Sequence, residues 1–107
     1  MKESARHIAD AQKAITGHLG ASTPLHRITD EKTIDKHRTA MCGRIHAPQG
    51  KDCDEYPFAA TKEGGNPRRG SIRVISASDN RAAGARLGGF YKSQRVLNGD
   101  AYYVGIK

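Results

Sequence analysis

The 107-residue sequence has no tryptophan, two phenylalanines and four tyrosines, so any core it builds is thin. It also lacks an apolar run near the about twenty residues that a membrane helix requires, which excludes a helical span. The opening Met1-Lys2-Glu3-Ser4-Ala5-Arg6-His7 carries charge with no apolar stretch behind it. It therefore does not read as a signal peptide, and the expectation is a removed export signal or one domain of a longer chain. Acidic residues are scarce, 11 against 18 Lys and Arg, giving a formal net charge of +7. With a sequence pI near 9.7, the chain favours polyanions, above all phosphate backbones. Membrane-surface binding is the weaker version, because the basic residues are scattered and no strongly apolar segment accompanies them. Cysteine occurs only twice, at Cys42 and Cys53. Count alone leaves open a disulfide closing a short loop or two reduced thiols.

What is present suits one soluble folded domain spanning 1–107, with 36% hydrophobic and 27% charged residues and no internal repeat. Within it, 1–23 reads as an N-terminal helical extension and 24–107 as the core. Ile8, Ala11, Ile15 and Leu19 recur at spacings of three and four, which predicts an amphipathic helix from Glu3 to Leu19 closed by Gly20. Thr29 or Asp30 caps a second, very polar helix to about Met41. The glycines, prolines and dense charge between Gly43 and Pro57 predict mostly irregular structure. Ser71-Ile72-Arg73-Val74-Ile75-Ser76 has the β-branched content of a strand. Ser78 or Asp79 then caps a helix from Asn80 to about Lys92, with Ala83, Leu87, Phe90 and Tyr91 facing inward. Gly84, Gly88 and Gly89 lie inside it, each costing about 1 kcal/mol relative to Ala, so something is expected to approach closely there. Asn98-Gly99 signals a hairpin leading into a half-buried strand through Tyr102, Val104 and Ile106.

The densest polar cluster, Asp52-Cys53-Asp54-Glu55, runs directly into the apolar Tyr56-Pro57-Phe58-Ala59-Ala60 and then Glu63-Gly64-Gly65. Carboxylates beside an apolar anchor can be half buried, which suits a general base or an oxygen-lined site for magnesium, manganese or calcium. A solvated acidic turn is the plainer alternative. Asn80 at the start of a helix offers a neutral ligand oxygen, and Arg81 and Arg86 offer cations for phosphate, although an ordinary capped helix has the same residues. Phosphodiester cleavage needs a base, a metal and cations together, so the combination carries more than either piece. Among five histidines none forms a metal-binding pair on one helix face; His26, in Pro24-Leu25-His26-Arg27, is the one placed to contact phosphate or an active site, with a surface or packing role as its alternative.

The stretch Cys53-Asp54-Glu55-Tyr56-Pro57-Phe58-Ala59-Ala60-Thr61-Lys62-Glu63-Gly64-Gly65 resembles the signature of the NucA/NucB deoxyribonucleases, and Asp79-Asn80-Arg81-Ala82-Ala83-Gly84 resembles that family's second signature. The resemblance covers roughly Pro24 to Val104. It implies a small α+β fold in which N-terminal helices pack on a small antiparallel sheet and a ββα-metal-finger-like unit holds the site. The expected activity is metal-dependent, sequence-non-specific DNA endonuclease cleavage, with a divalent ion, magnesium first, as cofactor. The resemblance assigns Asp54 as the base, where most finger nucleases use His. Glu55 and Glu63 become acids around the metal, Asn80 and Glu63 its ligands, and Arg81 and Arg86 the phosphate contacts. It also implies a Cys42–Cys53 disulfide, since longer relatives carry a pair at this spacing, and hence secretion. One departure is Ala82-Ala83, where relatives have a Gly-Ala step; packing is affected more than chemistry. A monomer acting on the DNA backbone is expected. The rival readings are a nuclease toxin domain of a larger secreted polypeptide, with a cognate inhibitor or immunity protein, and a basic module that grips nucleic acid without cutting it.

Overall fold

The computed structural model describes residues 2–106. Helix α1 spans Lys2–Ala14, shorter than its apolar stripe predicts. The left-handed backbone at Gly17 and His18 (φ +84 and +48) breaks the helical path, yet Ile15 and Leu19 beyond the break are still buried with Ile8 and Ala11. Gly20 at φ +86 is required for a second reason, because a Cβ there would overlap the Tyr56 hydroxyl. That hydroxyl donates to the Leu19 carbonyl (2.9 Å) and accepts from Gln12 Nε2 (3.1 Å).

Strand β1 (Leu25–His26) leads to α2 (Glu31–Cys42), capped by Asp30, whose carboxylate accepts from the Thr33 backbone N–H. Strand β2 (Lys51–Tyr56) then forms where irregular structure was expected. Its sequence has almost no β-branched content; pairing with β3 (Ser71–Ser76) makes it a strand, a tertiary effect that local propensity does not register. The antiparallel register sets Asp54 opposite Arg73, Glu55 opposite Ile72 and Tyr56 opposite Ser71. Helix α3 (Ala77–Ser93) follows β3 with no loop, and Ser76 is its cap in place of Ser78 or Asp79, so Asn80 lies inside the first full turn. After α3, Gly99 (φ +88) turns the chain as expected, but β4 (Ala101–Tyr102) is only two residues long and pairs with β1, far back in sequence. The predicted hairpin strand is thus replaced by a long-range pair. Among the described residues the fold is α+β, with three α-helices and two small antiparallel sheets, β1–β4 and β2–β3.

Alternation along β2 and its register place Asp52, Asp54, Tyr56, Ser71, Arg73 and Ile75 on one face, covered by α1 and α3. The core gathers there from Ile8, Ala11, Ile15, Leu19, Leu25, Tyr56, Tyr91, Val96 and Tyr102, with the Tyr91 and Tyr102 hydroxyls sharing a hydrogen bond. The other face carries Cys53 and Glu55 toward α2. No residue of α2 is fully buried. It is held instead by His37 Nδ1 bonding to the Ala59 carbonyl (2.8 Å) and by a Cys42–Cys53 disulfide with Cα atoms 6.0 Å apart. Among the described residues no helix is long and apolar enough to cross a membrane.

A helix so attached depends on its covalent tie. Reducing the disulfide is expected to lower unfolding free energy by about 3 kcal/mol in urea titration and to accelerate amide exchange in α2 first. Retained α2 protection after reduction would show that the tie is dispensable.

Candidate active site

Among the described residues the second sheet has two strands, and the edge of β2 away from β3 pairs with no strand. A cleft of about 520 Å³ lies against β2, walled by Arg38 and Cys42 of α2 and by Asn80, Arg81, Gly84, Leu87 and Gly88 of α3, with Cys53, Asp54 and Glu55 of β2 between them. Sequence reasoning expected Asp54, Glu55, Asn80 and Arg81 together, and the structure brings all four to this cleft. Arg38 was missed, because a lone arginine on a polar helix carries no local signal; only the fold puts it across from α3.

Asp54 is anchored through one oxygen. Its Oδ2 lies 2.7 Å from His7 Nδ1, on α1, and its side chain is 14% exposed. No hydrogen bond from the described residues reaches Oδ1, and the one buried side-chain polar atom without a partner among them is Arg27 Nε, so Oδ1 is open to solvent. Among the described residues Glu55 has no hydrogen-bond donor: its Oε2 lies 3.2 Å from Cys42 Sγ, and a disulfide sulfur has no proton to give. Burial, reinforced by the Asp54 charge and opposed by Arg38, pushes the Glu55 carboxyl up from 4.5 to about 7. Asp52, one face-repeat before Asp54, accepts from Asn80 Nδ2 (3.1 Å) and from Arg81 (3.4 Å); the Asn80 amide bond, then Arg81, holds its carboxyl below the usual range. That contact orients the Asn80 amide and leaves its oxygen free for another partner.

Glu63 and Arg86 are placed elsewhere. Both oxygens of Glu63 are engaged by His26, Oε1 by its backbone N–H (2.7 Å) and Oε2 by its ring Nδ1 (2.6 Å), and Glu63 borders a separate hollow with Lys62, Asn66 and Arg69. His26 and Glu63 thus form a clamp between β1 and the loop after β2. Arg86 lies on the other side of α3, beside Ser4, Phe90 and Tyr103. The glycines of α3 also differ from expectation: apart from their immediate neighbours and the helix's own backbone, nothing comes within 4 Å of a Cβ built at Gly84, Gly88 or Gly89. The first two leave open space in the cleft wall.

The cleft offers two oxygen donors of the type that hard divalent cations take. Glu55, an oxygen acid short of positive partners, and the free Asn80 oxygen are ligand types suited to magnesium, manganese or calcium. The described residues contain no cluster of three or more His, Cys, Asp or Glu able to hold a metal.

Because the folded protein binds the Glu55 proton more tightly than the unfolded chain does, the associated stability is complete below the unfolded value and is lost as pH rises toward about 7. In EDTA, Glu55→Gln is therefore expected to match the wild-type melting temperature near about pH 4 and to exceed it at about pH 8. Equal melting temperatures at both values would show that Glu55 is not held neutral.

Comparison with known proteins identifies the family. The family model for deoxyribonuclease NucA/NucB matches residues 12–105. A DNA-entry nuclease of Bacillus subtilis (strain 168) is 35% identical over 86 residues, which cover 80% of this chain and 52% of that protein. The chain thus spans about half the length of the curated relative it matches. Earlier than the sequence resemblance suggested, the match begins within α1. The chain belongs to the NucA/NucB deoxyribonuclease family.

Proposed function

We propose that this protein is a metal-dependent DNA endonuclease of low sequence specificity, with Asp54 as its general base. The observation that carries the reading is the pairing of Asp54, one oxygen anchored and the other open, with the donorless Glu55 at one cleft that also holds Asn80, Arg81 and Arg38. β2, β3 and α3 follow one another as strand, strand and helix, the order of a ββα finger. Glu55 and Asn80 would hold the metal, magnesium first and manganese or calcium as alternatives. Bound there, a divalent cation supplies charge neutralisation for the pentavalent phosphorus and the departing oxygen.

In the step itself, Asp54 Oδ1 takes a proton from a water whose oxygen bonds to phosphorus. The P–O3′ bond breaks on the opposite side and the leaving oxygen takes up a proton from solvent, giving a 5′-phosphate and a 3′-hydroxyl. Arg81 and Arg38, from opposite walls, would bind flanking phosphates. Such contacts address the backbone and not base edges, so binding weakens with salt and sequence preference is low. The disulfide suits an oxidising compartment, which supports a secreted enzyme.

The open wall at Gly84 and Gly88 fits this reading, since each glycine weakens α3 while leaving room for a sugar-phosphate backbone. Gly88→Leu is expected to raise helix stability by roughly up to 1 kcal/mol and to block cleavage; full activity in a stabilised variant would place the DNA elsewhere. The primary test is nicking of supercoiled plasmid with magnesium or manganese. Cleavage should vanish in EDTA and fall on the order of 10²- to 10⁴-fold in Asp54→Ala. Absence of cleavage with any metal, alongside intact DNA binding, would favour a non-catalytic binding module.

A further inference from the structure

His7 occupies a position where an amphipathic helix would ordinarily place a hydrophobe. It precedes Ile8 on α1 and is completely buried, yet both ring nitrogens have partners: Nδ1 meets Asp54 Oδ2 at 2.7 Å and Nε2 meets Ser71 Oγ at 2.9 Å. The Ser71 hydroxyl is free to donate to Nε2, which leaves the ring proton on Nδ1, where it faces the carboxylate. His7 lies outside residues 12–105, the span of the family match.

A second contact from the same helix bears on the same carboxylate. Arg73 stands directly opposite Asp54 across the β2–β3 pair. An unclaimed guanidinium in that place could take a carboxylate with both oxygens, in the two-pronged geometry that arginine favours. Here Arg73 is drawn away by Asp10, three residues after His7 on α1, through a 3.0 Å ion pair. His7 and Asp10 are neighbours on one helix face.

We propose that His7 is a positioning residue for Asp54 and that Asp10 assists it by holding Arg73 aside. One oxygen of Asp54 is fixed by a single N–H donor, so the other is presented to the cleft in one orientation. The proposal rests on the reading of Asp54 as the base. α1 is in consequence part of the reacting apparatus and not only a cover for the sheet.

The test is steady-state cleavage of plasmid DNA with magnesium by His7→Asn, His7→Gln, Asp10→Asn and Asp54→Ala, each with its melting temperature. The Asn amide nitrogen reaches the place of Nδ1, whereas that of Gln reaches the place of Nε2. His7→Gln is expected to lose kcat on the order of 10²-fold with KM unchanged, and His7→Asn to recover most of that loss. Equal losses in both that track melting temperature, or an unchanged kcat in His7→Gln, would overturn the proposal. Should both His7 variants unfold, Asp10→Asn decides, because its side chain is 58% exposed: a fallen kcat in a folded protein supports the proposal and an unchanged one overturns it. Wild-type activity in Asp54→Ala would instead remove the assignment of the base itself.

Discussion

A two-stranded sheet cannot bury a face by itself, and the face of β2–β3 that carries Asp54, Tyr56 and Ile75 is closed by α1. The apolar stripe of Ile8, Ala11, Ile15 and Leu19 supplies the driving force, and the rest of the molecule is built on that contact. Once α1 is seated, Leu19 and Gly20 receive the Tyr56 hydroxyl, and Gln12 bridges that hydroxyl to the Val104 carbonyl (2.8 Å). α1 and the segment after β4 are thereby joined through Tyr56, the last residue of β2. Seating also buries His7, and a buried ring with an unmatched nitrogen would cost about 1–3 kcal/mol, so register and polar satisfaction must agree. They do so in one arrangement, with Asp54 below one nitrogen and Ser71 below the other.

Stability and access are thus assigned to different parts. α1, α3, β1 and β4 gather the tyrosines and aliphatics into the core, where Arg27 lies 4.3 Å over the Tyr91 ring in place of a further apolar side chain. α2 contributes no fully buried residue and is tied to β2 by a disulfide and to the loop after β2 by a histidine. A wall attached by polar and covalent links can border an open cleft, whereas an apolar wall would close on β2 to bury itself. The thin core implied by so few aromatics has this use: it covers one face of the sheet and leaves an edge open.

Much of this was legible in the sequence. The start of α1, the Asp30 cap, β3 from Ser71 to Ser76 and the turn at Gly99 are local signals that formed where local physics placed them, whereas α1 stops at Ala14, short of its apolar stripe. β2 was not legible, because Lys-Asp-Cys-Asp-Glu-Tyr becomes a strand only through β3. β4 was assigned to a local hairpin, but its partner is β1, far back in the chain. Of the site, Asp54, Glu55, Asn80 and Arg81 were legible through a resemblance that spans the motifs they sit in. Glu63 shares the first motif, but a sequence cannot show that His26 has taken both its oxygens. His7 and Arg38 were invisible for the opposite reason: each is unremarkable among its neighbours, and their places depend on how helices meet a strand.

The same geometry explains why two adjacent carboxylates can have different chemistry. Alternation along β2 sends Asp54 to the α1 face and Glu55 to the α2 face, although both border the cleft. Asp54 meets a nitrogen donor and keeps one oxygen in water; Glu55 meets a sulfur that cannot donate and is pushed toward neutrality. The hydrogen bond to His7 fixes which Asp54 oxygen is engaged and which is left for another partner. Glu55 has only the Arg38 charge to set against its burial and the Asp54 charge. Exchange of the two residues would put the longer side chain under His7 and the shorter one beside the disulfide. The order Asp-Glu therefore follows from what lies on each side of the strand, a helix with a donor on one face and a covalent tie without one on the other.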